Sequence, residues 1–349
     1  MTKYLIHIGI CGFGNQLLGF KEACIIAKHT DRVIVEPIFI PHGTIRNECK
    51  NYYKFSDIFD SDLFSSTNKY ASVEKISNIK VNNVYNMRSH SEKSLTDDYY
   101  NRQKDYYNLF NDVKFNSLNK TYITKVEDFN ELKNIDDTIL VLLGTFNNVI
   151  LSNCYKNGCL NPKCSLNTIF TDIYTKTTQS IQFNKNIKNI VNETLELTNT
   201  NIDSLCVFHM RVLDLCKNKT FEYAYNHDEK SVYKSICNYL DEINESSLKK
   251  NIFLIAPPQY KTISNLKIFN TNIVKSIDYD KFSYDKFILS LTELYICEKC
   301  KILIISPTNT PNIVKTHTRS SFTLHTKNIR ELKNVSKDDV CISSIYKKI

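Results

Sequence analysis

Two short stretches carry the residue types that could grip a phosphorylated ligand. The first is Cys11-Gly12-Phe13-Gly14-Asn15-Gln16, between an apolar run from Tyr4 to Ile10 and a segment whose apolar positions Leu17, Leu18, Phe20, Ala23 and Cys24 predict a helix. Glycines let the backbone turn sharply and bring N–H groups close to a diphosphate, while the start of a helix adds about half a positive charge. Asn15 and Gln16 place two amide side chains at the mouth of that turn. The second stretch is His209-Met210-Arg211-Val212-Leu213-Asp214, at the end of an apolar run beginning at Ser204. If that run is a strand, alternation puts Val207, His209 and Arg211 on one face near its C-terminal end. A guanidinium there can donate two hydrogen bonds to phosphate oxygens and stays charged at any working pH. A plainer reading pairs Arg211 with Asp214 and leaves His209 in a core.

The glycine turn also admits two other readings. It could be an ordinary turn between a strand and a helix. It could also be a dinucleotide fingerprint, because a second strand, Arg32 to Pro37, ends in Glu36, about 20 residues on, where an acid would hold a ribose. Against that fingerprint, the glycines run Gly12, Gly14 and then Gly19, and Leu17 stands where the third glycine belongs. An NAD(P)-dependent oxidoreductase is the functional alternative that follows.

These stretches need a scaffold. The run from Thr138 to Gly144 reads as a further buried strand, and the second half alternates strands (Ser204 to Val212, Asn251 to Ala256, Lys301 to Ser306) with helices (Ser231 to Ile243, Lys286 to Glu298). Such alternation implies parallel sheets with right-handed crossovers, and ligands bound beyond the strand C-termini. The expected fold class is α/β, with two Rossmann-like domains, residues 1–165 and 166–349. Between Lys54 and Ser66, Phe55, Ile58, Phe59, Leu63 and Phe64 fall at helical offsets and read as core. Asp60 and Asp62 form a D-x-D pattern of the kind that can hold a divalent metal, though such pairs arise often by chance. Residues 67–137 are polar and tyrosine-rich without clear periodicity, and read as an acceptor-side insertion.

The composition is that of a soluble globular protein: 349 residues, 42% hydrophobic and 23% charged. A formal charge of +8 suits an anionic ligand, but the lysines are dispersed, which argues against a nucleic-acid partner. No apolar stretch approaches the ~20 residues that span a bilayer and the N-terminus does not resemble a signal peptide, so a cytoplasmic location is expected. The 12 cysteines then read as thiols. That includes Cys154, Cys159 and Cys164, and Cys297-x-x-Cys300, whose spacings suit a zinc site poorly.

The glycine turn resembles the N-terminal G-[RG]-[FL]-G-N-Q signature of the fucosyltransferase superfamily, which includes protein O-fucosyltransferases and α-1,2-fucosyltransferases. His209-Met210-Arg211-Val212-Leu213-Asp214 is similar to its H-x-R-x-x-D motif. Ile304-Ile305-Ser306-Pro307-Thr308-Asn309-Thr310 looks like its I-S-x-S-S-F-[ST] element, with Thr308-Asn309-Thr310 where Ser-Ser-Phe is expected. The resemblance implies a GT-B fold, its two domains facing each other across a cleft. It implies an inverting, metal-independent glycosyltransferase without cofactor, moving fucose from GDP-fucose or a related deoxy-sugar nucleotide to a protein or glycan acceptor. By the same resemblance, Arg211 holds the β-phosphate and Asn15 lies between sugar and acceptor. Gly12, Phe13, Gly14, His209, Asp214, Ser306, Thr308 and Asn309 line the donor. The altered Thr308-Asn309-Thr310 loop also raises a catalytically inactive binding protein on the same fold.

Overall fold

The computed structural model describes residues 2–10, 12–41, 49–81, 83–86, 93–109, 114–117, 132–144, 155–156, 159–160, 168–209, 252–255, 274–275, 277, 279–305, 326, 329–330, 332–333 and 340–341. The chain divides into two compact units, Met1–Asn186 and Ile187–Ile349.

The first unit opens with β1 (Tyr4–Ile8), α1 (Phe13–His29) and β2 (Val33–Val35), all strongly apolar. An antiparallel ribbon follows, β3 (Ile38–Phe39) with β4 (Tyr53–Lys54), and then α2 (Phe55–Ile58) and α3 (Ser61–Thr67). Next come β5 (Tyr70–Ala71), β6 (Asn83–Asn86), α4 (Lys93–Gln103), β7 (Lys114–Ser117) and β8 (Ile139–Leu143). The short pair β9 (Tyr155–Lys156) and β10 (Cys159–Leu160) precedes α5 (Thr168–Ser180).

Six of these strands form one sheet in the order β5-β2-β1-β8-β6-β7, and every pairing in it is parallel. One layer of core, with Ile6, Ile8, Val84, Val141 and Leu143, packs against Tyr99, Tyr100 and Tyr107. A second cluster is aromatic: Phe20, Phe55, Phe59 and Phe64 are all buried, and the Phe55 and Phe64 rings lie 4.8 Å apart. The apolar spacing read between Lys54 and Ser66 is thus core, apart from Leu63, which is half-buried.

Two expectations are corrected here. Residues 67–137 are no insertion: they supply β5, β6 and β7, half of the six-stranded sheet. Strands of 2 to 4 residues such as Tyr70–Ala71 and Asn83–Asn86 are too short and too polar to show alternation. The division between units also falls after Asn186 rather than at 165, because α5 packs on α1, with Lys21 Nζ 5.5 Å from the centroid of the Tyr174 ring.

At the boundary lies α6 (Lys185–Leu197). The second unit contains β11 (Cys206–His209), β12 (Ile252–Ile255), β13 (Val274–Lys275), α7 (Lys286–Lys299), β14 (Ile302–Ile305) and β15 (Val340–Cys341). Its sheet runs β13-β12-β11-β14-β15, entirely parallel, which is the doubly wound 3-2-1-4-5 order. Asp285 caps α7 by accepting from Phe287 N and Ile288 N. The expected helix Ser231 to Ile243 lies outside the described residues. Among the described residues no helix is long and apolar enough to cross a membrane.

Candidate functional site

In the first unit the strand order reverses at β1, which lies between β2 and β8. Ligands of doubly wound sheets bind beyond the strand C-termini at such a point. Here β1 ends at Ile8 and β8 at Leu143, and Gly144 N donates to Ile8 O at 3.0 Å. Gly144 has φ 107°, a backbone angle that side chains disfavour.

The turn leading into α1 is built differently from the sequence expectation. Gly12 is the N-cap, extended at φ −71° and ψ 164°, and Phe13, Gly14 and Asn15 already belong to the first helical turn. The close approach falls instead on Gly9, where an added Cβ would lie 2.9 Å from Gln16 Cγ. Gln16, expected at the mouth of the turn, is buried: its Nε2 donates to Ile40 O at 2.8 Å and its Oε1 accepts from Ile40 N at 2.9 Å. It fixes the chain after β3 against the start of α1. Asn15 remains half-buried at the helix start.

Gln103, wholly buried at the end of α4, holds the loop from the other side by donating to Gly9 O at 2.7 Å. His7 Nε2 lies 3.1 Å from Gly144 O. Burial lowers the His7 pKa to about 4, so the imidazole is neutral at pH 7 and donates to that carbonyl. No side chain caps α1, and no acidic residue sits in its first turn. The positive end of the helix dipole therefore faces the loop with no carboxylate in the first turn of α1 to offset it.

The dinucleotide alternative loses its acid. Glu36 is buried and its Oε1 accepts from Ser56 N at 3.1 Å; it stands beside Tyr70, whose phenol is pushed up by burial and by that carboxylate. Asp60 accepts from Leu63 N at 2.9 Å as the cap of α3, and Asp62 is exposed. Among the described residues no group of three or more His, Cys, Asp or Glu is arranged to hold a metal ion. Cys297 and Cys300 are buried thiols at the end of α7.

In the second unit His209 is the last residue of β11, half-buried, and pairs in register with Ile305, the last residue of β14. The chain therefore leaves for Arg211 and for Ser306 from the ends of two neighbouring parallel strands, β11 and β14, where that sheet reverses its order. Arg211, Asp214, Ser306, Thr308 and Asn309 themselves lie outside the described residues. Sequence reasoning missed Gly9, which it absorbed into the strand, and Gln103, whose partner lies 94 residues away and which had no local signal.

No family model matches the sequence, and no curated protein matches it. The solved structures give a clear answer about the fold. The chain folds like POFUT1. Against the apo form the TM-score is 0.61 at 12% identity, covering 98% of both chains. Against POFUT1 in complex with GDP-fucose it is 0.58 at 12% identity, again over 98% of both. The α-1,6-fucosyltransferase NodZ soaked with GDP-fucose gives 0.50 at 13% identity, covering 94% of this chain and 93% of that one. The α/β, GT-B-like class expected from the sequence is thereby established. What the first unit offers chemically is a set of backbone amides and a helix start, held rigid by uncharged amide side chains, suited to an anionic oxygen.

Proposed function

We propose that this chain is a glycosyltransferase that uses GDP-fucose or a closely related deoxy-sugar nucleotide. The observation that carries it is the uncapped, acid-free start of α1 at the point of strand reversal. It is borne by a fold shared along 98% of its length with a protein solved in complex with GDP-fucose. The H-x-R stretch adds support, because it begins on the last residue of β11, beside the end of β14.

In this mechanism the backbone amides at Gly12, Phe13 and Gly14 meet phosphate oxygens and Asn15 lies between sugar and acceptor. Arg211 neutralises the charge that builds on the β-phosphate as the glycosidic bond breaks, while His209, Asp214, Ser306, Thr308 and Asn309 complete the donor site. The acceptor hydroxyl enters opposite the leaving nucleotide, inverting the anomeric carbon. Bond breaking runs ahead of bond making, so the acceptor hydroxyl gives up its proton late, to an oxygen of the departing diphosphate, with little help from a base, and no metal is called for.

Thermal shift against GDP-fucose, GDP-mannose, UDP-rhamnose and NAD tests the donor. GDP-fucose should stabilise the protein most, by about 2.7 kcal/mol at 100 times its dissociation constant. Stabilisation by NAD alone would overturn the proposal. Because one donor aimed at developing charge is worth ~3–4 kcal/mol, Arg211→Ala should cut turnover by about 10²–10³. Tight donor binding with no turnover in the wild type would instead mark a binding protein.

A further inference from the structure

A cavity lies at the far end of α1 from the glycine turn, at the close of a 17-residue helix that is therefore about 25 Å long. It measures about 270 Å³, a little less than the ~300–1,000 Å³ of drug-sized sites, so its occupant is small. Its floor is apolar: Cys24 and Ala27 from the last turns of α1 and Ile34 from β2, all buried. Its wall is basic. Lys28, Arg32 and Lys69 line it beside a single carboxylate, Asp31, whose Oδ1 is already tied to Lys69 Nζ at 2.6 Å. Thr67 and Asn68, where α3 gives way to β5, complete the lining.

These cations are not spent on the end of the helix. The carbonyls of Ile26, Ala27 and Lys28 accept from the backbone N–H groups of Thr30, Arg32 and Asp31 at 2.8, 2.7 and 3.4 Å. The exposed Lys28 ammonium meets no acceptor among the described residues. Arg32 is buried, and its Nη groups donate to three backbone carbonyls rather than to a carboxylate. The nearby acids are engaged elsewhere, Asp136 by Lys3 and Asp137 by Asn83 and Tyr85. The Arg32 Nε–H, buried as well, finds no acceptor among the described residues, and buried donors seldom stay unpaired. A buried guanidinium and two exposed ammonium groups around an apolar floor suit one ligand class, an anionic head on a short hydrocarbon body. Inorganic phosphate fits less well, because the floor would strip its water and return no hydrogen bonds. An uncharged hydrocarbon would leave the basic wall unused.

We propose that this cavity binds a small aliphatic carboxylate, with its hydrocarbon part on Cys24, Ala27 and Ile34 and its head between Lys28 and Lys69, in the field of Arg32. The site is separate from the donor loop and does not depend on the transferase reading. Isothermal titration of the full-length protein with hexanoate tests it, beside hexanol, hexylammonium and inorganic phosphate. Hexanoate should bind saturably and about tenfold or more tighter than each of the other three. Lys28→Gln combined with Lys69→Gln should weaken it about tenfold or more, and since both side chains are exposed, far-ultraviolet circular dichroism should show the variant folded. Ala27→Leu, whose larger side chain fills the floor, should abolish binding; the lysine pair carries the test if that variant does not fold. The proposal is overturned if hexanoate does not bind, if hexanol, hexylammonium or phosphate binds as tightly, or if the lysine variant binds hexanoate as the wild type does. It is overturned too if GDP-fucose competes with hexanoate for one site. Failure of GDP-fucose to bind at all, beside lysine-dependent hexanoate binding, would remove the donor assignment and leave the cavity standing.

Discussion

The two edges of the first unit's sheet are secured by different chemistry. At the N-terminal edge, the buried Arg32 guanidinium donates to Tyr4 O at 3.2 Å, Asp137 O at 2.7 Å and Ile135 O at 2.7 Å, tying β1 to the segment before β8. Asn83 and Tyr85 add hydrogen bonds to the Asp137 carboxylate. At the C-terminal end, beside the start of α1, loops are held by neutral groups, the Gln16 and Gln103 amides and the uncharged His7, while after β2 the Glu36 carboxylate accepts from Ser56 N. The second unit repeats half of this pattern: Arg330, fully buried, donates to Cys300 O at 2.6 Å and to Lys301 O at 3.3 Å, just before β14 begins. At the N-terminal edge buried charge holds the fold. Where the diphosphate is expected, the groups that hold the start of α1 are neutral and its first turn carries no acid.

The largest effect that could break this contrast is at the N-terminal edge. Arg32→Met should cost about 3–5 kcal/mol, because three carbonyls lose a charged donor at once. Chemical denaturation reads that loss, and donor affinity of the folded fraction should stay within about twofold. A large fall in affinity would mean that the two edges are not separate.

Acidification probes the other edge. His7 is held near a pKa of about 4, below the 6.5 of an unfolded histidine. Between those values the unfolded chain takes up a proton that the folded one refuses. Its stabilising share is therefore complete above pH 6.5 and lost as pH falls towards 4, by up to about 3 kcal/mol. Melting curves at pH 7 and pH 4.5 should show a steeper fall for the wild type than for His7→Gln, and equal slopes would contradict the neutral-clamp account. Smallest is Gly9→Ala, about 1–3 kcal/mol from the new Cβ against Gln16. Unlike Arg32→Met it should also weaken GDP-fucose binding, by about tenfold in a titration, since Gln16 is displaced.

Legibility in the sequence followed the length and apolarity of each element. Runs such as Tyr4–Ile8, Ile139–Leu143 and the helix Lys286–Lys299 carry their period in their own residues. Tyr70–Ala71 and Lys114–Ser117 do not; they are strands because neighbours in the sheet complete their hydrogen bonds. Within the site, the helix start behind Gly12 was legible from the glycines and the apolar run after them. The roles of Gln16 and Gly9 were not, because a side-chain amide that could face a ligand and one that bonds Ile40 look alike in sequence. The Glu36 reading failed for the same reason: its spacing suited a ribose, but Ser56 takes its oxygen.

Gln16 bonds both backbone groups of Ile40, and Tyr53 pairs with Phe39. The chain from Ile40 to Tyr53 is thus moored at both roots. Lengthening a segment held in this way costs only about 0.6 kcal/mol per doubling. Insertions between Ile40 and Tyr53 are accordingly cheap, while both anchors of that stretch, Gln16 on Ile40 and Tyr53 on Phe39, stay in place.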